Sequence, residues 1–124
     1  MTYGRAVQES LREPERALRQ AIPDVYRGQR ELHAAAFSSG ALDAKVKELI
    51  ALAISVSKQC DGCIASHARG AVRHGATEAQ VAEALGVAIA MNGGPGMVYG
   101  PRALAAFREF ADGIRTEVPP ADQG

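Results

Sequence analysis

The sequence predicts an all-α, six-helix domain, and three observations carry that prediction. Apolar residues recur at three- and four-residue steps along most of the chain, no stretch alternates as a half-buried strand does, and helix-start and helix-stop residues punctuate the segments. At 124 residues the chain suits a single domain spanning residues 1–124.

The first helix is expected over Glu13–Ala21, short and charged, and the second over Asp24–Phe37, with Pro23 marking the break. Ser38-Ser39-Gly40 ends the second, and Asp43 is placed to cap a third helix from Ala44 to about Lys58. The run from Val46 to Val56 is apolar on nearly every side after its first turn, a pattern that asks for burial all round. A fourth helix begins at the Cys60, Cys63 pair and ends at His74-Gly75, with Gly75 in the place of a C-terminal glycine. Thr77 with Gln80 forms a capping-box signature for a fifth, Glu78–Met91. Asn92-Gly93-Gly94 stops it, and Gly93-Gly94-Pro95-Gly96 reads as a helix–helix turn. Pro95 suits the first turn of a sixth helix reaching about Ala111, with a kink at Pro101. The tail Thr116–Gly124 is expected to fray.

The third and fifth helices are both apolar around most of their circumference and rich in small residues. A six-helix monomer can hardly enclose both, which predicts a homo-oligomer of closed symmetry.

Charge excludes several function classes. Lys plus Arg equal Asp plus Glu at 14 each, so no net field draws the chain to nucleic acid or to anionic lipid. No apolar run approaches the roughly 20 residues a membrane span needs, and the opening residues lack the apolar core of a signal peptide. A soluble, cytoplasmic protein is expected. In that reducing compartment a close cysteine pair is more often catalytic or metal-binding than structural.

The two cysteines, in Cys60-Asp61-Gly62-Cys63, can close a small disulfide ring, and His67 follows four residues later. On a helix, positions 60, 63 and 67 share one face, so the sulfurs and the imidazole can meet. A helix start at Cys60 favours a thiolate there, and His67 can take the thiol proton or stabilise the anion. Thiolate attack on a peroxide would give a sulfenic acid that the second cysteine condenses into a disulfide. Two alternatives compete: cysteines as core residues with a satisfied His67, and zinc held by Cys60, Cys63, His67 and His74, although His74 lies too far along the helix to converge easily.

Glu48 is the next candidate. Beside an imidazole it would orient the ring and raise its basicity, whereas alone a glutamate one turn into a helix usually faces solvent. His33 and Tyr99 read as core or interface residues, and Arg69, Arg73 and Arg102 as too scattered for a phosphate cradle.

Taken together, Glu48, Cys60-Asp61-Gly62-Cys63 beginning twelve positions later, and His67 resemble the signature of the carboxymuconolactone decarboxylase and AhpD-like alkylhydroperoxidase family. The similarity continues in order through Lys47–Ser55, Cys60–His67, Gly70–Gly75, Thr77–Leu85 and Asn92–Pro95. The resemblance implies an all-helical AhpD-like fold assembling as homotrimers or homohexamers, with no metal or bound cofactor. It implies reduction of organic hydroperoxides through a Cys60–Cys63 disulfide, with Cys63 attacking, Cys60 resolving, and His67 with Glu48 relaying protons. A dithiol, on a lipoyl carrier or a thioredoxin-like protein, would reopen the ring. The helix-terminus argument alone favours Cys60 as the more acidic thiol, so the direction of attack stays open. Gly62 stands where the AhpD pattern has a second histidine, which bears on rate and substrate.

Retention of both cysteines favours the peroxidase-like branch over the decarboxylase branch. The alternatives are a decarboxylase-type lyase acting on a lactone through Glu48 or His67, and a non-enzymatic redox sensor whose packing answers to oxidation.

Overall fold

A computed structural model describes residues 2–117, with side chains through Gly113. Six helices account for most of them: α1 (Arg5–Ala21), α2 (Pro23–Phe37), α3 (Ala44–Ser57), α4 (Asp61–Arg73), α5 (Glu78–Asn92) and α6 (Gly94–Glu117). The described residues contain no strand.

The core is a packet of four helices, in which α6 lies against α3, α4 and α5, and α3 against α4 and α5. Leu52 and Val56 from α3, Ile64 from α4 and Val81 from α5 are fully buried at its centre. Around them stand Ala68 and Ala71 of α4, and Ala103, Ala106, Phe107 and Phe110 of α6. Small residues let helix axes approach while the two phenyl rings fill the remaining space. Gly96 marks a close approach of backbones, because a Cβ there would lie 2.8 Å from the Ile89 Cα of α5.

The helix ends follow the expected chemistry in the middle of the chain. Asp43 Oδ1 accepts from the Val46 amide at 2.9 Å, and the Thr77–Gln80 capping box is closed in both directions, at 3.0 and 3.1 Å. Gly75 takes a left-handed φ of 81°, and the amides of His74, Gly75 and Ala76 return to carbonyls in the last turn of α4.

Three boundaries differ from expectation. α1 starts at Arg5 and runs through Pro14. Its opening amides on Gly4 and Arg5 donate to the Glu109 carboxylate of α6, at 3.2 and 3.0 Å, so a residue over a hundred positions away caps the helix. The α5–α6 turn is narrower than the Gly93–Gly96 run implies, since Gly93 alone turns, with φ 63°, and Gly94 already belongs to α6. α6 passes through Pro101 and continues beyond Ala111 to Glu117. The rest of the tail expected to fray lies outside the described residues.

Burial also departs from the pattern. α3 buries Glu48, Leu52, Ser55 and Val56 but leaves Ile50 and Ile54 exposed, so in one chain it is covered on one side only. α2 buries no residue and packs mainly against its neighbours α1 and α3. No helix among the described residues is long and apolar enough to cross a membrane.

Candidate active site at the start of α4

Cys60 is the N-cap of α4 and Cys63 lies in its first turn, and the two sulfurs are joined in a disulfide at the helix mouth. The Cys63 amide donates to Cys60 Sγ at 3.2 Å, using one of the amides that a helix start leaves without an internal partner. In the dithiol form the same amide and the helix dipole favour negative charge on the Cys60 sulfur. Cys63 is exposed and Cys60 half-buried. One sulfur thus has the better electrostatic seat and the other the better access.

One turn further along α4, His67 Nδ1 lies 2.8 Å from Oε2 of Glu48 on α3. The Glu48 side chain is 9% exposed and the His67 ring 17%, so the pair is largely sheltered from water. An ionised carboxylate only accepts, so Nδ1 carries the hydrogen and Nε2 is left free to take or give a proton. Glu48 reaches this place because residue 70 is glycine, for a Cβ on Gly70 would fall 2.5 Å from Glu48 Cδ and Oε2. The solvent-facing reading of Glu48 is therefore overturned.

On its other side the imidazole joins a stack of rings. Phe37 of α2 lies nearly parallel to His67 with centroids 5.3 Å apart, and His33 stacks on Phe37 at 4.1 Å. Glu48 thus holds the ring by one nitrogen while α2 limits its tilt. His33 is exposed in the single chain and forms the outer member of this stack, which excludes the core half of its core-or-interface reading.

A second clamp fixes the helix mouth. Arg102 of α6 donates through Nη1 to both carboxylate oxygens of Asp61, at 3.2 and 3.0 Å, and lies over the rings of Tyr99 and Tyr3 at 4.5 and 5.0 Å. The Asp61 hydrogen bond raises the Arg102 pKa above its already high ordinary value, so the guanidinium stays a cation throughout the working pH range. Asp61 follows Cys60 directly, and its charge is matched at the point where a thiolate would form.

The structure therefore brings Cys60 and Cys63 together, and Glu48 onto His67. His74 stands at the far end of α4 as its C-cap. Among the described residues no group of three or more His, Cys, Asp or Glu side chains is arranged to hold a metal ion. Gly70, Phe37 and Arg102 escaped the sequence reading. The four-residue spacing of His33 and Phe37 was the one available signal for the ring stack.

Comparison with known proteins agrees with the all-helical fold. Residues 23–112 match the family model described as carboxymuconolactone decarboxylase family. An uncharacterised protein of Cupriavidus necator is 47% identical over 91 residues, covering 73% of this chain and 80% of that protein. A carboxymuconolactone decarboxylase family protein of Legionella pneumophila, solved in its apo form, superposes with a TM-score of 0.82 at 40% identity, over 86% of this chain and 95% of that one. A Thermotoga maritima protein of the same family, suggested to be involved in an antioxidative response, superposes at 0.76 with 28% identity, over 90% and 95% of the two chains.

Proposed function

Since this chain belongs to the carboxymuconolactone decarboxylase family, we propose that it acts as an AhpD-like thiol peroxidase on organic hydroperoxides. The observation that carries the reading is a disulfide closed across the first turn of α4, one turn from an imidazole held by a sheltered carboxylate. The Thermotoga relative suggested to be antioxidative supports the same direction.

In the proposed cycle His67 Nε2 takes the Cys63 thiol proton, and the thiolate attacks the terminal peroxide oxygen. The O–O bond breaks, the leaving alkoxide recovers a proton from His67 to give the alcohol, and Cys63 becomes a sulfenic acid. Cys60 sulfur then attacks Cys63 sulfur, water departs, and the disulfide closes. Hydroperoxide has gained two electrons and the cysteine pair has lost two. A dithiol, such as a lipoyl carrier or a thioredoxin-like protein in a reducing cytoplasm, returns them by thiol–disulfide exchange. Exposure argues for Cys63 as the attacking atom, and the N-cap position makes Cys60 an acidic resolving thiol.

Free thiols titrated before and after one equivalent of cumene hydroperoxide test the reading. Parent protein should lose both thiols, Cys60→Ser should stop at a sulfenic acid, and Cys63→Ser should leave the peroxide intact. Peroxide consumption by Cys63→Ser at the parent rate excludes the mechanism. The Glu48–His67 pair can also move protons without sulfur, which suits the decarboxylase-type alternative. Lactone turnover that survives thiol alkylation would identify that reaction.

We also infer that the chain works as a homotrimer or homohexamer. Ile50 and Ile54 on α3, Val87 and Met91 on α5, and Met97 and Val98 at the start of α6 are 45–80% exposed, more large apolar surface than a soluble monomer usually presents. Ile54→Asp should lower the mass found by sedimentation equilibrium, and a parent protein that sediments as a monomer overturns the inference.

A further inference from the structure

The lysine and arginine count equals the aspartate and glutamate count over the whole chain, yet the charge is not evenly spread. Between α1 and α4 run two cavities, of about 380 and 300 Å³, that share Gln8, Arg12 and Arg69 in their walls and so form one groove. Arg5, Arg12 and Arg19 line it from α1, and Arg69 and Arg73 from α4. Glu9 and Glu15 are the acidic residues of the lining, and Glu9 pairs with Arg12 at 3.1 Å. Two carboxylates cannot neutralise five guanidinium groups, so the groove lining keeps an excess of positive charge. Arg69 and Arg73 looked scattered because the arginines that join them from α1 stand fifty or so positions earlier in the sequence.

One end of this groove is the redox turn itself. Gly62, between the two cysteines, lines its floor beside Ser66, with Leu11 of α1 above at 3.1 Å from where a Cβ on Gly62 would stand. Gly62, Ser66, Arg69 and Arg73 follow one another along one face of α4, and Cys63 is the residue next to Gly62. From Cys63 to Arg69 the helix rises about 9 Å, and to Arg73 about 15 Å.

We propose that the groove binds the carboxylate of its substrate, so that the enzyme prefers anionic hydroperoxides over neutral ones. The class that fits is a fatty-acid hydroperoxide. Its carboxylate is held by Arg69 and Arg73 with Arg12, its apolar stem lies along Leu11, and its peroxide reaches the exposed Cys63. Planar guanidinium groups match a carboxylate geometrically, and a site facing a reactive sulfur gains rate by orienting the peroxide. The bond changes are those of the thiol peroxidase cycle above, on which this proposal rests.

The test compares linoleic acid hydroperoxide with its methyl ester, which differ in charge at one end, and adds direct calorimetric binding of linoleate, which carries no peroxide. The acid should exceed the ester in kcat/KM by about tenfold in the parent protein, the size of one partly exposed charge-assisted contact. That ratio should fall toward one in the Arg12→Gln, Arg69→Gln double variant and at raised ionic strength, and linoleate binding should weaken in step. Both arginines are exposed, so the double variant keeps its helices, which circular dichroism checks. An acid-to-ester ratio near one in the parent, or one retained by the double variant, overturns the proposal. So does an effect confined to the KM of the dithiol reductant. Linoleate binding that the double variant loses, with no hydroperoxide turned over, refutes the peroxidase reading while leaving the anion groove standing.

Discussion

The Glu48 carboxylate occupies the space that any side chain at position 70 would need. Its Cδ, Oε2 and Oε1 lie 2.5, 2.5 and 2.7 Å from the position of a Cβ on Gly70. A backbone hydrogen on α4 is thus a condition for the ion-pair geometry across α3 and α4.

Gly70→Ala should accordingly separate activity from stability. Alanine favours the helix by up to about 1 kcal/mol, which offsets part of the strain of moving a buried carboxylate. Peroxide turnover should fall by about tenfold or more as Glu48 is pushed off His67. Thermal melting measured beside the rate of disulfide formation checks this, and unchanged turnover would show that the contact relaxes harmlessly.

Glu48→Gln keeps a hydrogen-bond acceptor for Nδ1 and removes the charge that supports an imidazolium. Turnover is expected to drop by about a hundredfold, the lower range for loss of a positioned proton carrier. Thiol loss timed after one equivalent of hydroperoxide, in parent and variant, reads the drop. A variant that reacts at the parent rate would mean that the carboxylate only packs.

Much of this arrangement was legible in the residues, for reasons that can be named. Asp43, Thr77, Gln80 and Gly75 act within their own helix ends, so the local pattern sufficed. Cys60 caps the helix that carries Cys63 and His67, so the spacing of the two cysteines alone made their pairing legible. What stayed hidden depends on distant partners: Glu109 capping α1, Gly70 making room for Glu48, Arg102 reaching Asp61, and Phe37 arriving from a helix with no buried residue. The first helix is expected only from Glu13 because nothing nearby reveals the Glu109 carboxylate that caps the chain at Arg5.

Phe37→Ala should loosen His67 without unfolding the bundle, since α2 contributes nothing to the core. Losing an aromatic contact on the order of 1 kcal/mol corresponds to about a fivefold drop in kcat. Phe37→Tyr, which keeps the ring, should restore the rate. Equal losses in both variants would assign Phe37 a role other than stacking.

The Asp61–Arg102 clamp should tune the cysteine pair through charge. Arg102→Met leaves the Asp61 carboxylate unmatched beside Cys60 and makes the dithiol harder to ionise, so the reduction potential should become more negative. Asp61→Asn leaves the guanidinium unmatched and should move the potential the other way. Each shift is expected at roughly 10 mV, small because both side chains are partly exposed. Redox titration against glutathione reads both, and shifts of the same sign would reduce the clamp to a purely mechanical tie.

The disulfide spans residues only three apart in sequence, and a ring so small restrains the disordered chain by only about 2 kcal/mol in the loop-entropy picture. The bundle is held by Leu52, Ile64, Val81 and their neighbours, not by the sulfur bond. Oxidant and reductant can therefore alternate at the helix tip while the architecture beneath stands still, as a latch works on a door frame that never moves.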